Sequence, residues 1–150
     1  MDEDKLNRLP PDVKKQFIKL ASKLSEKKQK SKVHDDFLSF VKHVWPEFIE
    51  GAHHKKIAEK FNDIANKKIK RLIINMPPRH TKSEFASFLL PAWMVGRRPN
   101  LKIIQSTHTT ELAIRFGRKA KTLMDSPEYK QVFDTRLRED SQAAGKWETQ

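Results

Sequence analysis

The sequence predicts an α/β fold, a short and incomplete parallel sheet with flanking helices, entered through an all-helical N-terminal region. Three observations carry this. Two compact apolar runs, RLIINM (71–76) and LKIIQST (101–107), suit strands buried on both faces. A helical pattern follows each run, giving the strand–helix–strand–helix order of a parallel sheet. Before residue 70, apolar residues recur only at helical spacing.

From the N-terminus, Pro10, Pro11 and Asp12 open a helix whose Val13, Phe17, Leu20, Ala21 and Leu24 share one stripe. KLSEKKQKSK (23–32) keeps no apolar face beyond Leu24 and reads as a solvated helix end or a linker. Between Lys14 and Lys32 eight lysines stand against one acid, Glu26, a net of +7. Residues 1–33 therefore form a basic helical leader. A second helix starts near Asp35, carries Phe37, Val41 and Val44, and stops before Pro46. A third runs from about His53 to Asn66 on Ile57, Phe61, Ile64 and Ala65. In SEFASFLLPAWMVG, Phe85, Phe88, Leu89 and Ala92 keep helical spacing, although Pro91 should break or kink the helix. Thr109 or Thr110 caps a long helix with Leu112, Phe116, Leu123 and Met124, and Ser126-Pro127 opens another turn. Two strands cannot cover the faces and edges of a parallel sheet, and 131–150 offers one weak strand more. Residues 34–150 thus read as the N-terminal half of a larger domain.

Lys and Arg total 31 against 19 acids, a net charge of +12 and a pI near 10.0. That balance suits a polyanionic partner, nucleic acid being the commonest, or a surface whose charges are merely solvated. The absence of cysteine excludes disulfides and thiolate metal sites. His34, His43, His53 and His54 match no metal-ligand spacing. No apolar run approaches the ~20 residues of a membrane span, and MDEDKLNRLPPD lacks a signal core, so a cytosolic chain is expected.

The candidate site lies in LIINMPPRHTKSEFASFLL (72–90). A phosphate loop needs a strand that delivers the chain, a compact turn that aims backbone N–H groups, and a helix starting at the same place. RLIIN, PPRHT and Lys82-Ser83 supply these in order. The pattern GxxxxGK[ST] would put glycines at Met76 and Thr81. In that register Lys82 reaches the β- and γ-phosphates and the Ser83 hydroxyl ligates Mg²⁺. Thr81 costs ~1–3 kcal/mol if its φ must be positive. Pro77 and Pro78 remove two N–H donors, whereas Arg79 adds a fixed cation near the γ-phosphate. The alternative is a Pro-Pro turn with Ser83 as a helix cap and a solvated Lys82. Trp45, Phe48, His53 and His54 precede the first strand, where P-loop motors grip adenine; Trp45 and His54 are the candidates, against a role as packed ring and surface histidine.

INMPPRHTKSE closely resembles the Walker A segment (76–83 here) of the large terminase subunits of tailed bacteriophages. FVKHVWPEFIEGAHHKKIAEKF upstream, and the chain from PAWMVG to KWET downstream, are similar to the regions flanking that motif, so the likeness covers about 35–150. The resemblance implies a P-loop NTPase core, and an ATPase that threads double-stranded DNA into a procapsid. It implies ATP and Mg²⁺ as cofactors, and the small terminase subunit and portal protein as partners. It further implies a ring oligomer and the cytoplasm of an infected bacterial host. By motif position, Arg79 and Lys82 are catalytic, Pro78, Arg79, His80, Thr81, Lys82, Ser83 and Glu84 contact nucleotide, and Ser83 holds Mg²⁺. Thr81 departs from the family's glycine. A Walker B strand and the nuclease cluster are absent: no apolar run after 107 ends in an acid, and Asp125, Asp134, Glu139 and Asp140 fall in polar, non-strand contexts. Little activity is expected of this stretch alone. Arg115, Arg118, Lys119 and Lys121 make a basic helix surface for DNA phosphate, a neighbouring subunit or solvent. Two other functions remain open: a non-catalytic basic nucleic-acid-binding accessory protein, and another P-loop DNA enzyme such as a helicase.

Overall fold

The computed structural model describes residues 10–142 and 147–149. The chain divides into two units, Met1–Ser31 and Lys32–Gln150. Helix α1 (Pro11–Asp35) runs through the described part of the first. Its stripe residues Val13, Phe17, Leu20 and Leu24 are all exposed. The lysine-rich 23–32 stays helical, because lysine is a good helix former and the stretch holds no glycine or proline.

The second unit continues with α2 (Phe37–Val44), α3 (Ala52–Ala65) and a single turn, α4 (Lys82–Glu84). A π-helical turn, Phe85–Leu89, leads into α5 (Leu90–Arg97), followed by α6 (Thr110–Asp125) and α7 (Pro127–Val132). Strands β1 (Leu137–Gln142) and β2 (Trp147–Thr149) come last. Local chemistry sets the helix starts. Asp36 caps α2 by accepting from the Ser39 N–H at 2.8 Å, Thr109 caps α6 through the Leu112 N–H at 3.3 Å, and Ser126 caps α7 through the Tyr129 N–H at 3.3 Å. The π turn answers Pro91: the Leu90 N–H bonds to the Phe85 carbonyl, and the proline then falls where the next helical segment begins and needs no donor.

The expected parallel sheet does not form. The described residues are mostly helical, and their one sheet is the antiparallel pair β1–β2, with Leu137 opposite Thr149 and Gln142 opposite Trp147. The architecture is therefore not an α/β P-loop core. RLIINM and LKIIQST hold no regular structure. A parallel strand is stable only when neighbours take up its backbone N–H and C=O groups, and neither run has a partner among the described residues. Leu72, Ile74 and Met76 still pack against the core while Ile73 between them is 86% exposed. Ile104 is 97% exposed. Glu139 and Asp140, expected outside strands, lie within β1.

The core centres on Phe37, whose ring meets Phe61, Phe85 and Trp93 edge-on at 5.1, 5.4 and 5.5 Å. The Trp93 indole N–H donates to the His34 carbonyl at 3.1 Å. Tyr129 is buried, and its hydroxyl donates to the Ala92 carbonyl at 2.8 Å, joining α7 to α5. Gly96 lets those helices touch, since a Cβ there would lie 2.6 Å from both Phe133 Cγ and Tyr129 Oη. Asp36 also accepts from the Asn62 amide at 2.8 Å, while Asn62 Oδ1 accepts from the Phe37 N–H at 2.9 Å, so α2 and α3 are fastened reciprocally.

Candidate phosphate-binding loop

Residues 76–84 form a tight turn whose shape is carried by two left-handed residues. Arg79 has φ 64° and Thr81 φ 57°, ψ 6°. Threonine in that region costs ~1–3 kcal/mol, so its neighbours must hold it there. The Thr81 carbonyl accepts from the Phe85 N–H at 2.9 Å, starting the helix immediately after the turn. Lys82 is half-buried and bends back, its ammonium 3.3 Å from the Met76 carbonyl, so it spans the loop from end to beginning.

The rest of the loop is open. Pro77, Pro78, Arg79 and His80 are exposed, and so is Ser83. Arg79 makes no hydrogen bond or ion pair among the described residues. His80 donates from Nδ1 to the Pro78 carbonyl at 2.9 Å, closing a small ring inside the turn. Glu84 turns away from the loop; its carboxylate takes both hydrogen bonds from Lys119 on α6, at 2.7 and 2.9 Å. Lys119 also lies 5.5 Å from the Phe88 ring centre.

His54, in the first turn of α3, is 6% exposed and reaches the loop from behind. Its Nδ1 accepts from the Gly51 N–H at 2.9 Å, and its Nε2 lies 2.7 Å from Thr81 Oγ1. The Thr81 hydroxyl itself donates to the His80 carbonyl at 2.7 Å, so it accepts from His54. These partners require one tautomer, neutral with the proton on Nε2. Both ring nitrogens are thereby committed. Burial holds the His54 pKa below the ordinary histidine value, the neighbouring His53 and His80 push the same way, and Glu50 opposes them. Hydrogen bonds from Lys42 and Lys55 in turn hold Glu50 below the usual carboxylate range. Trp45 is half-buried, its ring 5.5 Å from Phe48, which lies 4.8 Å from His54. The structure thus brings His54, His80, Thr81 and Lys82 together and leaves Trp45 one ring, Phe48, away from His54.

Arg115, Arg118 and Lys119 line a groove along α6 with Val44, Phe88 and Ile114. The pairing of Lys119 with Glu84 and the bond from His54 to Thr81 are the features sequence reasoning missed. They join positions 35 and 27 residues apart, and no local pattern announces such a pair. Among the described residues, no group of three or more His, Asp or Glu side chains could hold a metal ion, and no helix is long and apolar enough to cross a membrane. No family model, curated protein or solved structure matches the chain.

Proposed function

We propose that the 76–84 loop binds the phosphates of ATP with Mg²⁺, and that the chain is the ATP-binding part of a DNA-packaging motor of the terminase large-subunit kind. In this reading Lys82 neutralises the β- and γ-phosphates and Arg79 meets the γ-phosphate. Magnesium favours hard oxygen donors shared with phosphates and water, and the exposed Ser83 hydroxyl suits it. ATP hydrolysis would drive double-stranded DNA into a procapsid, with the remaining motor parts, the small subunit and the portal as partners. One observation carries the reading. Thr81 takes a positive φ at the position before Lys82, where the phosphate-loop pattern places glycine for that conformation.

Calorimetric titration with Mg-ATP and Mg-ADP tests it. Lys82→Ala removes a charge-assisted contact of ~1.5–3 kcal/mol, so ATP affinity falls at least tenfold. Arg79→Ala weakens ATP and spares ADP. Unaltered ATP binding by Lys82→Ala refutes the assignment. The exposed lysines of α1 favour a second reading, a basic protein that grips nucleic-acid phosphates without catalysis. DNA binding that weakens steeply with salt, in a protein that ignores ATP, selects that one.

A further inference from the structure

We propose that His54 is the positioning residue of this loop: as a neutral imidazole donating from Nε2 it pins Thr81 in the left-handed conformation that aims Lys82, and protonation of the ring releases the pin. The proposal rests on the reading that the loop binds triphosphate, but its first half concerns the loop's shape alone. Three linked hydrogen bonds carry it, from the Gly51 N–H to His54, from His54 to Thr81 Oγ1, and from that hydroxyl to the His80 carbonyl. Each end is fixed. Gly51 is the cap of α3, and His80 is held by its own bond to Pro78. His54 packs against the Phe48 and Phe85 rings, at 4.8 and 5.2 Å, and those two rings also touch each other at 5.5 Å, so an aromatic cluster backs the imidazole. Glycine needs no such pin. A threonine with φ 57° does, because its Cβ crowds the following carbonyl.

Protonation undoes the arrangement at Nδ1. An imidazolium carries hydrogens on both nitrogens, so Nδ1–H would face the Gly51 N–H, two donors with no acceptor between them. The titratable groups around the ring are His53 on the same helix, Glu50 before it and His80 on the loop, with the lysines that hold Glu50, Lys42 and Lys55, beyond them. Only Glu50 favours the charged ring, and two ammonium groups already engage it. As pH falls below the ordinary histidine range, the pin loosens and triphosphate affinity drops with it.

The full chain provides two independent readouts. Without ligand, ¹⁵N spectra of the imidazoles report the His54 tautomer, and a short HN–Hα distance at Thr81 reports positive φ. With Mg-ATP, calorimetry compares wild type, His54→Ala, His54→Gln, Thr81→Gly and the double variant His54→Ala/Thr81→Gly. Glutamine keeps a donor near the Nε2 position. We expect His54→Ala to lose the Thr81 signature and bind ATP about tenfold more weakly. His54→Gln should recover most of the affinity, and Thr81→Gly should cancel the effect of His54→Ala. ATP itself takes up a proton in this pH range, so the pH effect is read as wild type minus His54→Gln. A left-handed Thr81 that survives in His54→Ala, or ATP binding by that variant equal to wild type, overturns the proposal. If wild type ignores ATP, the nucleotide reading falls, and the Thr81 geometry alone decides whether His54 is the pin.

Discussion

Replacing Gly96 by alanine adds one methyl group where α5 meets α7. That methyl would lie 2.6 Å from the Tyr129 hydroxyl and 2.6 and 2.8 Å from two carbons of the Phe133 ring. Neither neighbour moves freely. Tyr129 is fully buried and tied to the Ala92 carbonyl, and Phe133 is 2% exposed. Overpacking of this kind costs ~1–3 kcal/mol. Displacing the Tyr129 hydroxyl from its buried bond adds ~1–3 kcal/mol. Alanine returns only ~1 kcal/mol of helix propensity. The net is a loss of about 3 kcal/mol, or a fall of roughly 10 °C in melting midpoint. Urea and thermal unfolding followed by circular dichroism measure it directly. Combining Gly96→Ala with Tyr129→Phe removes one of the close contacts, so the double variant should lose less than the sum of the singles. A Gly96→Ala protein as stable as wild type would show that the helices separate at little cost and refute the reasoning.

Phe37→Ala empties the centre of the aromatic cluster and should destabilise by ~3–5 kcal/mol, read from the same unfolding curves. Burial raises the Asp36 pKa, but the bonds from Ser39 and Asn62 and the charge of Lys32 outweigh it, and the carboxyl ends below its ordinary value of 3.8. A carboxyl lowered on folding stabilises above its unfolded pKa, and that contribution disappears as pH falls through the folded one. Acid titration of stability should therefore be shallower in Asp36→Asn than in wild type. His54 behaves with the same sign for a different reason: burial holds its folded pKa below the ordinary histidine value of 6.5, so the unfolded chain protonates first and stability declines as pH drops through that range. His54→Gln should remove this part of the pH dependence.

The helices were legible because their signals are local. Phe37, Val41 and Val44 fall on one stripe, and Asp36, Thr109 and Ser126 cap through bonds only three residues long. Pro91 marked a disturbance, although nothing in SEFASFLL specified that a π turn would absorb it. The sheet was misread because apolar content reports burial, while strand pairing depends on distant partners. RLIINM buries one face without pairing, and the polar LREDSQ forms a strand because WET lies close enough to pair with it. At the loop, the register of Lys82-Ser83 and the demand for positive φ at Thr81 were readable from the phosphate-loop pattern. The means of meeting that demand was not, since His54 belongs to another helix.

The π turn Phe85–Leu89 has a geometric consequence for the segment that carries the loop. Each residue of an α-helix turns the chain by ~100°, and a π turn takes one residue more than an α turn to cover the same rise. Lys82 and Ser83 at the start therefore keep a different rotational phase from Ala92, Trp93 and Val95, which face the core. The extra residue in 85–89 offsets the loop's bearing from that of α5 by about a quarter of a circle, and Pro91, with no N–H to give, keeps a plain α-helix from closing there. The number of residues in that stretch sets where the loop starts, and the bonds from His54 to Thr81 and from Lys82 to Met76 set where Lys82 points from there.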